Sequence, residues 1–136
     1  MRLIQFVILV YFSLIALQLQ AGNKNLKVVL HVNDGFKLGH MEKSVKNIRK
    51  EMGNDVEIQV VINGNAVTRL LRSNKSSTRI VQEVLKLNAP IGLCHNAVNN
   101  NQVKKEMLIE GLEVLKTDGN VAVLNYQKQG YYYIKL

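Results

Sequence analysis

Few side chains in this sequence carry chemistry beyond packing. Cys94 is the single cysteine among 136 residues, and His31, His40 and His95 are the three histidines. One cysteine cannot close an internal disulfide, so the fold must stand without one and the thiol is either buried or used. Cys94 follows the apolar run Pro90-Ile91-Gly92-Leu93 and precedes His95-Asn96, which places it where a strand hands over to a helix. Backbone N–H groups at a helix N-terminus favour negative charge, which would hold the sulfur as a nucleophilic thiolate. His95 is a second stabiliser if the turn brings its imidazole to the same side. The plainer reading makes Cys94 a small core residue that happens to carry sulfur.

Other chemical patterns are sparse. There is no paired-cysteine motif and no His-x-x-x-His spacing, so neither a metal nor another cofactor is expected. His31 sits inside an apolar run and is expected in the core. No glycine-rich phosphate loop ends in Lys-Ser or Lys-Thr. Asp34, at a strand end, is expected as a turn or cap residue rather than a base. A Cys-His-Asp hydrolase has only the adjacency of Cys94 and His95 in its favour.

The elements that must position these residues follow from pattern and punctuation. Lys27-Val28-Val29-Leu30-His31-Val32-Asn33 is β-branched and apolar and stops at Asp34-Gly35, which predicts a buried strand. Met41, Val45, Ile48 and Met52 recur at helical spacing before Gly53, and Val56 to Ile62 is a second strand closed by Asn63-Gly64-Asn65. Ala66 to Leu71 predicts a short helix. A longer helix opens at Lys75, with Ile80, Val84, Leu85 and Leu87 as its apolar stripe. Pro90 to Cys94 is a third strand, Asn96 to Glu110 one helix or two short ones, and Glu113 to Lys116 a fourth strand. Thr117 or Asp118 caps a helix over Asn120 to Gln127, Gly130 ends it, and Tyr131 to Ile134 is the last strand, packed on helices or on a neighbouring subunit.

Strands alternating with helices imply a parallel sheet with helices on both faces, an α/β fold. Ligands of open parallel sheets sit beyond the carboxyl ends of the strands. Asn33-Asp34-Gly35, Asn63-Gly64-Asn65, Cys94-His95-Asn96 and Thr117-Asp118-Gly119 would then share one edge. Asn33, Asp34, Asn63, Gly64 and Asn96 are the binding candidates on it.

The N-terminus has a separate logic. Arg2, the apolar stretch from Phe6 to Leu17 and the small Ala21 stand in the order of a cleavable signal peptide. A spanning helix needs about 20 apolar residues, and this stretch is shorter. Export with cleavage is therefore expected over an N-terminal membrane anchor. Residues 1–21 are the signal and 22–136 a single periplasmic or secreted domain, with no stable membrane span after cleavage. The net charge of +8 comes from scattered lysines rather than a basic stripe, so no nucleic-acid partner is expected.

Four segments, in order, resemble the DsrE/DsrF-like family from Lys27 to Lys135. They are His31-Val32-Asn33-Asp34, Val56 through Val67 with its Asn63-Gly64-Asn65 turn, Ile91-Gly92-Leu93-Cys94-His95-Asn96, and Gln129 through Lys135. The resemblance implies a three-layer α/β/α domain of the DsrEFH-like type, with a mostly parallel five-stranded sheet. It also implies a homo-oligomer, commonly a trimer or hexamer. In the sulfur-relay members, a cysteine at the position of Cys94 accepts sulfane sulfur as a persulfide and passes it to a partner's thiol. Two departures stand out: relay members act in the cytoplasm, and His95 to Asn101 is asparagine-rich here. Three readings stay open: an exported sulfur carrier or sulfurtransferase working through Cys94, a non-catalytic oligomeric module that binds a small ligand or protein, and a redox sensor. The sequence alone does not decide whether the protein is an enzyme.

Overall fold

A computed structural model describes residues 25–136, so the expected signal peptide lies outside the described residues. Within them, β1 (Lys27–Val32), α1 (Leu38–Met52), β2 (Glu57–Ile62), α2 (Lys75–Lys86), β3 (Ile91–Leu93), α3 (His95–Asn100), β4 (Glu113–Val114), α4 (Gly119–Lys128) and β5 (Tyr132–Lys135) follow one another. Short 3-10 turns occupy Gly35–Lys37, Gly64–Arg69 and Lys105–Met107. No helix among the described residues is long and apolar enough to cross a membrane.

The strands form one sheet in the order β4-β3-β2-β1-β5, and every pair is parallel. The chain steps from β1 outward to β4, then returns across the sheet to set β5 beside β1. Right-handed crossovers put outward connections on one face and a returning connection on the other. The helices therefore divide unevenly, with α1, α2 and α3 on one face and α4 alone on the other.

Side chains alternate between the faces along each strand. Val28, Leu30 and Val32 of β1 and Ile58, Val60 and Ile62 of β2 meet Met41 and Val45 of α1 and Ile80 and Val84 of α2 in the large core. The opposite face supplies only Val29 and Val61, which pack with Val123 and Tyr131 and, at the margin, Leu115 and Tyr126. Local chemistry sets the element ends. Asn74 accepts a hydrogen bond from the Ser77 amide at 3.1 Å and caps α2, and Gly53 closes α1 with φ +84°.

Several sequence expectations shift. Met52, expected on the buried stripe of α1, is exposed, while Leu38 and Glu42 are buried. Of the two readings of Asn96 to Glu110, the two short pieces hold, α3 and the 3-10 turn Lys105–Met107, parted where Gln102 turns into the left-handed region at φ +54°. The third and fourth strands are shorter than expected. At Gly92 an added Cβ would lie 2.6 Å from Leu115, so that glycine lets the chain after β4 close over β3. The last strand begins one residue later than expected, at Tyr132, and is an exposed edge. Tyr131 is buried just before it, but Tyr132 is 66% and Ile134 39% exposed.

Candidate functional site: the Cys94 thiol and the start of α4

The all-parallel sheet puts the ends of β1, β2, β3 and β4 on one edge, as expected. At the end of β3 the Cys94 amide donates to Ile62 O at 2.8 Å, so the ladder from β2 pins its backbone. Cys94 then caps α3 with its backbone alone, and its side chain makes no cap hydrogen bond. The amide that reaches the sulfur belongs to a different helix. Gly119 N–H, at the first residue of α4, donates to Cys94 Sγ at 3.1 Å.

The sulfur in turn donates to Asp118 Oδ2 at 3.4 Å. Asp118 is the cap of α4, and its Oδ1 accepts from the Asn120 amide at 2.8 Å. Its Oδ2 also accepts from Asn96 Nδ2 at 3.2 Å. These donors, the Asn120 amide foremost, hold the Asp118 carboxyl below the usual carboxylate range despite its desolvation. Gly119 is wedged between the two neighbouring strand ends. A Cβ there would stand 3.0 Å from Cys94 Cβ and 3.1 Å from Asn63 Nδ2. Asn63 Nδ2 donates to Asn120 Oδ1 at 3.4 Å, a long bond that ties the end of β2 to α4.

Of the residues singled out in the sequence, Cys94, Asn63 and Asn96 therefore meet. His95 does not join them: it is exposed, and its Nε2 pairs with Asn99 Nδ2 at 2.9 Å within α3. The titratable neighbour of the sulfur is Asp118. Asn33, Asp34 and Gly64 shape the adjoining loops. Asp34 accepts from the Phe36 amide at 2.9 Å, and Gly64, at φ +61°, packs on Asn33 O where a Cβ would come within 3.2 Å. Asp118 and Gly119 were visible in the sequence as the polar turn after the fourth strand, but not as partners of the thiol.

Two further groups bear on the chemistry. His31, on the α4 face of β1, is buried; its Nδ1 lies 3.1 Å from the Tyr133 hydroxyl, and its Nε2 has no hydrogen-bond partner. Burial and then Lys135 push its pKa down against an opposing pull from Asp118, which keeps it a neutral core residue, as expected. His40 lies apart, beside Glu42, Lys43 and Lys46 on α1. The sulfur itself is in a residue only 1% exposed.

The chain has the fold of YchN. The ychN protein of E. coli superposes with a TM-score of 0.66 at 16% identity, over 82% of this chain and 99% of that one. A protein of unknown function from Methanobacterium thermoautotrophicum, MTH1491, gives a TM-score of 0.74 at 23% identity over 82% of this chain and its own full length. BT1422 of Bacteroides thetaiotaomicron, a conserved protein of unknown function, gives 0.64 at 13% identity over 81% and 94%. No family model and no curated protein matches the sequence. The YchN-like likeness is one of fold, at identities where activity does not follow from architecture.

Proposed function

We propose that this YchN-like protein is a sulfur carrier that works through Cys94. One observation carries the reading: the sulfur sits between an acceptor for its proton, Asp118, and a donor aimed at it, the Gly119 amide. Asp118, held ionised by the Asn120 amide, orients the thiol by accepting its hydrogen bond, and the thiol proton passes to the thiolate that the donor releases. The Gly119 N–H then faces a sulfur anion, in the way that helix-terminal amides favour negative charge. That anion attacks the outer sulfur of a sulfane donor, R–S–SH. The donor's S–S bond breaks, R–SH leaves with a proton, and Cys94 keeps the transferred atom as Cys94–S–SH. A second thiol, on an acceptor, reverses the step. Sulfane sulfur passes between thiols with no net oxidation. If residues 1–21 direct export, the exchange takes place outside the cytoplasm.

Incubation with a sulfane donor followed by peptide mass spectrometry tests the reading. The Cys94 peptide should gain one sulfur, about 32 Da, and Asp118→Asn should slow the gain. No adduct on Cys94 under conditions where the thiol accepts an alkylating reagent would refute it.

A second reading, a non-catalytic homo-oligomeric module, is favoured by different residues. Tyr132, Tyr133 and Ile134 leave the edge strand β5 apolar and exposed, and Cys94 is deeply buried. In that reading the thiol only packs, and β5 meets another copy.

A further inference from the structure

The strongest unexplained feature is a thiol set for chemistry in a residue only 1% exposed. No donor reaches that sulfur unless something moves, and the two ends of α4 are held very differently. Beyond its first turn the helix is anchored, with Ala122 and Val123 buried. Val123 and Tyr131 are buried against Val29 and Val61, Tyr126 and Tyr131 pack edge to face with centroids 5.0 Å apart, and the Tyr131 hydroxyl donates to Glu57. The N-terminal turn follows β4, an edge strand of two residues, and Lys116 and Thr117 are exposed. Besides its own cap and the Ala122 amide bond to Asp118 O, what ties this turn to the rest of the fold is the buried Gly119–sulfur contact and side-chain bonds open to water, Asn96 to Asp118 and Asn63 to Asn120. Bonds that water can replace oppose local opening weakly, whereas burial of an aromatic pair opposes it strongly.

We propose that Asp118, Gly119 and Asn120 form a latch over Cys94, and that thiol chemistry at this site is gated by opening of the first turn of α4. The inference rests on the sulfur-carrier reading for its purpose but not for its test. The closed latch and the reactive geometry share atoms: the Gly119 amide and the Asp118 carboxylate that seal the sulfur are those that would activate it. Opening admits the donor, and closing restores the amide and carboxylate to the sulfur and excludes water. Gly119 makes this closure possible, since any side chain would strike Cys94 Cβ and the Asn63 amide.

The test is the rate of Cys94 alkylation by iodoacetamide in the native full-length protein, measured across low urea concentrations. A local opening exposes little surface, so the wild-type rate should rise with urea far less steeply than global unfolding does. Gly119→Ala, which cannot seat the turn, and Asn63→Ala, which removes one tie without touching the sulfur, should each label faster. About twofold is expected for Asn63→Ala, the population change given by one long, water-exposed hydrogen bond at the low end of the usual range. A urea slope equal to that of global unfolding, or variants that label no faster than wild type, would overturn the latch. Fast labelling of the variants without sulfur uptake leaves the latch standing and removes the sulfur-carrier reading. Sulfur uptake at a rate that neither variant alters does the reverse.

Discussion

Around Cys94 and around Glu42 the chain solves the same problem, a polar group taken out of water, with opposite outcomes. At Cys94 the solution is a pair of hydrogen bonds, one given to the Asp118 carboxylate and one taken from the Gly119 amide. At Glu42 it is a closed ion cluster: Arg79 reaches both carboxylate oxygens, at 2.9 and 3.0 Å, and Lys46 reaches one at 2.7 Å. The Arg79 fork and then Lys46 hold Glu42 at about 2, far below its ordinary 4.5. A carboxyl whose folded pKa is depressed adds stability above its unfolded pKa, and that stability is lost as pH falls toward the folded value. Glu42→Gln should therefore cost about 2 kcal/mol at neutral pH. The gap from wild type should close as pH falls from about 4.5 toward about 2. Urea titrations at a series of pH values read this directly, and a gap that stays constant down to the acid limit would contradict it.

Elements are joined here by a few polar side chains as much as by the core. Arg49, in the last turns of α1, donates through Nε to Leu87 O at 2.8 Å and through Nη2 to Asn88 O at 3.0 Å, where α2 ends. Its Nη1 reaches the Val56 and Asn54 carbonyls on the way into β2. One guanidinium thus satisfies carbonyls at the ends of two helices and brings positive charge to both C-termini, where the helix dipoles favour it. Arg49→Ala should lower stability by about 2 kcal/mol, because the part-buried Leu87 and Val56 carbonyls lose a charged donor together. Arg49→Lys should recover only a minor part, since an ammonium lacks the planar fork. The midpoint of urea unfolding measures both. Equal stability of the lysine variant and wild type would show that charge alone, not the fork, ties these ends.

At the scale of the whole molecule, the uneven distribution of helices has two consequences. The face with α1, α2 and α3 holds most of the core, whereas the α4 face packs the smaller cluster of Val29, Val61, Val123 and Tyr131. The sheet also ends in an edge that is poorly defended. Native edges are usually blunted by charge, proline or bulges, whereas β5 carries Tyr132, Tyr133 and Ile134, with Lys135 only at its end. The proposed homo-oligomer would use this edge. Replacing Tyr132 and Ile134 together with lysine should convert the assembly to monomer in sedimentation velocity without changing the far-ultraviolet circular dichroism. A wild-type chain that sediments as a monomer at high micromolar concentration would remove the proposal.

Local information was enough to specify the α/β class, the strand and helix order, the turn at Asn63, a cap at Thr117 or Asp118, and the edge on which the polar turns gather. Those features depend on residues within a few positions of one another: apolar periods, glycine turns, side chains bonding to nearby amides. The thiol's surroundings did not follow from the same information. Gly119 lies 25 residues beyond Cys94 and reaches it because the chain reverses direction after β4, which sends α4 alone over the opposite face. That reversal exchanged the candidate partner, His95 on the adjoining helix, for Asp118 on a distant one, and it left β5 an exposed edge. Neighbours along the chain encode elements, whereas packing across the sheet decides which of them meet, because burial and hydrogen bonding are settled only between surfaces the whole fold brings together.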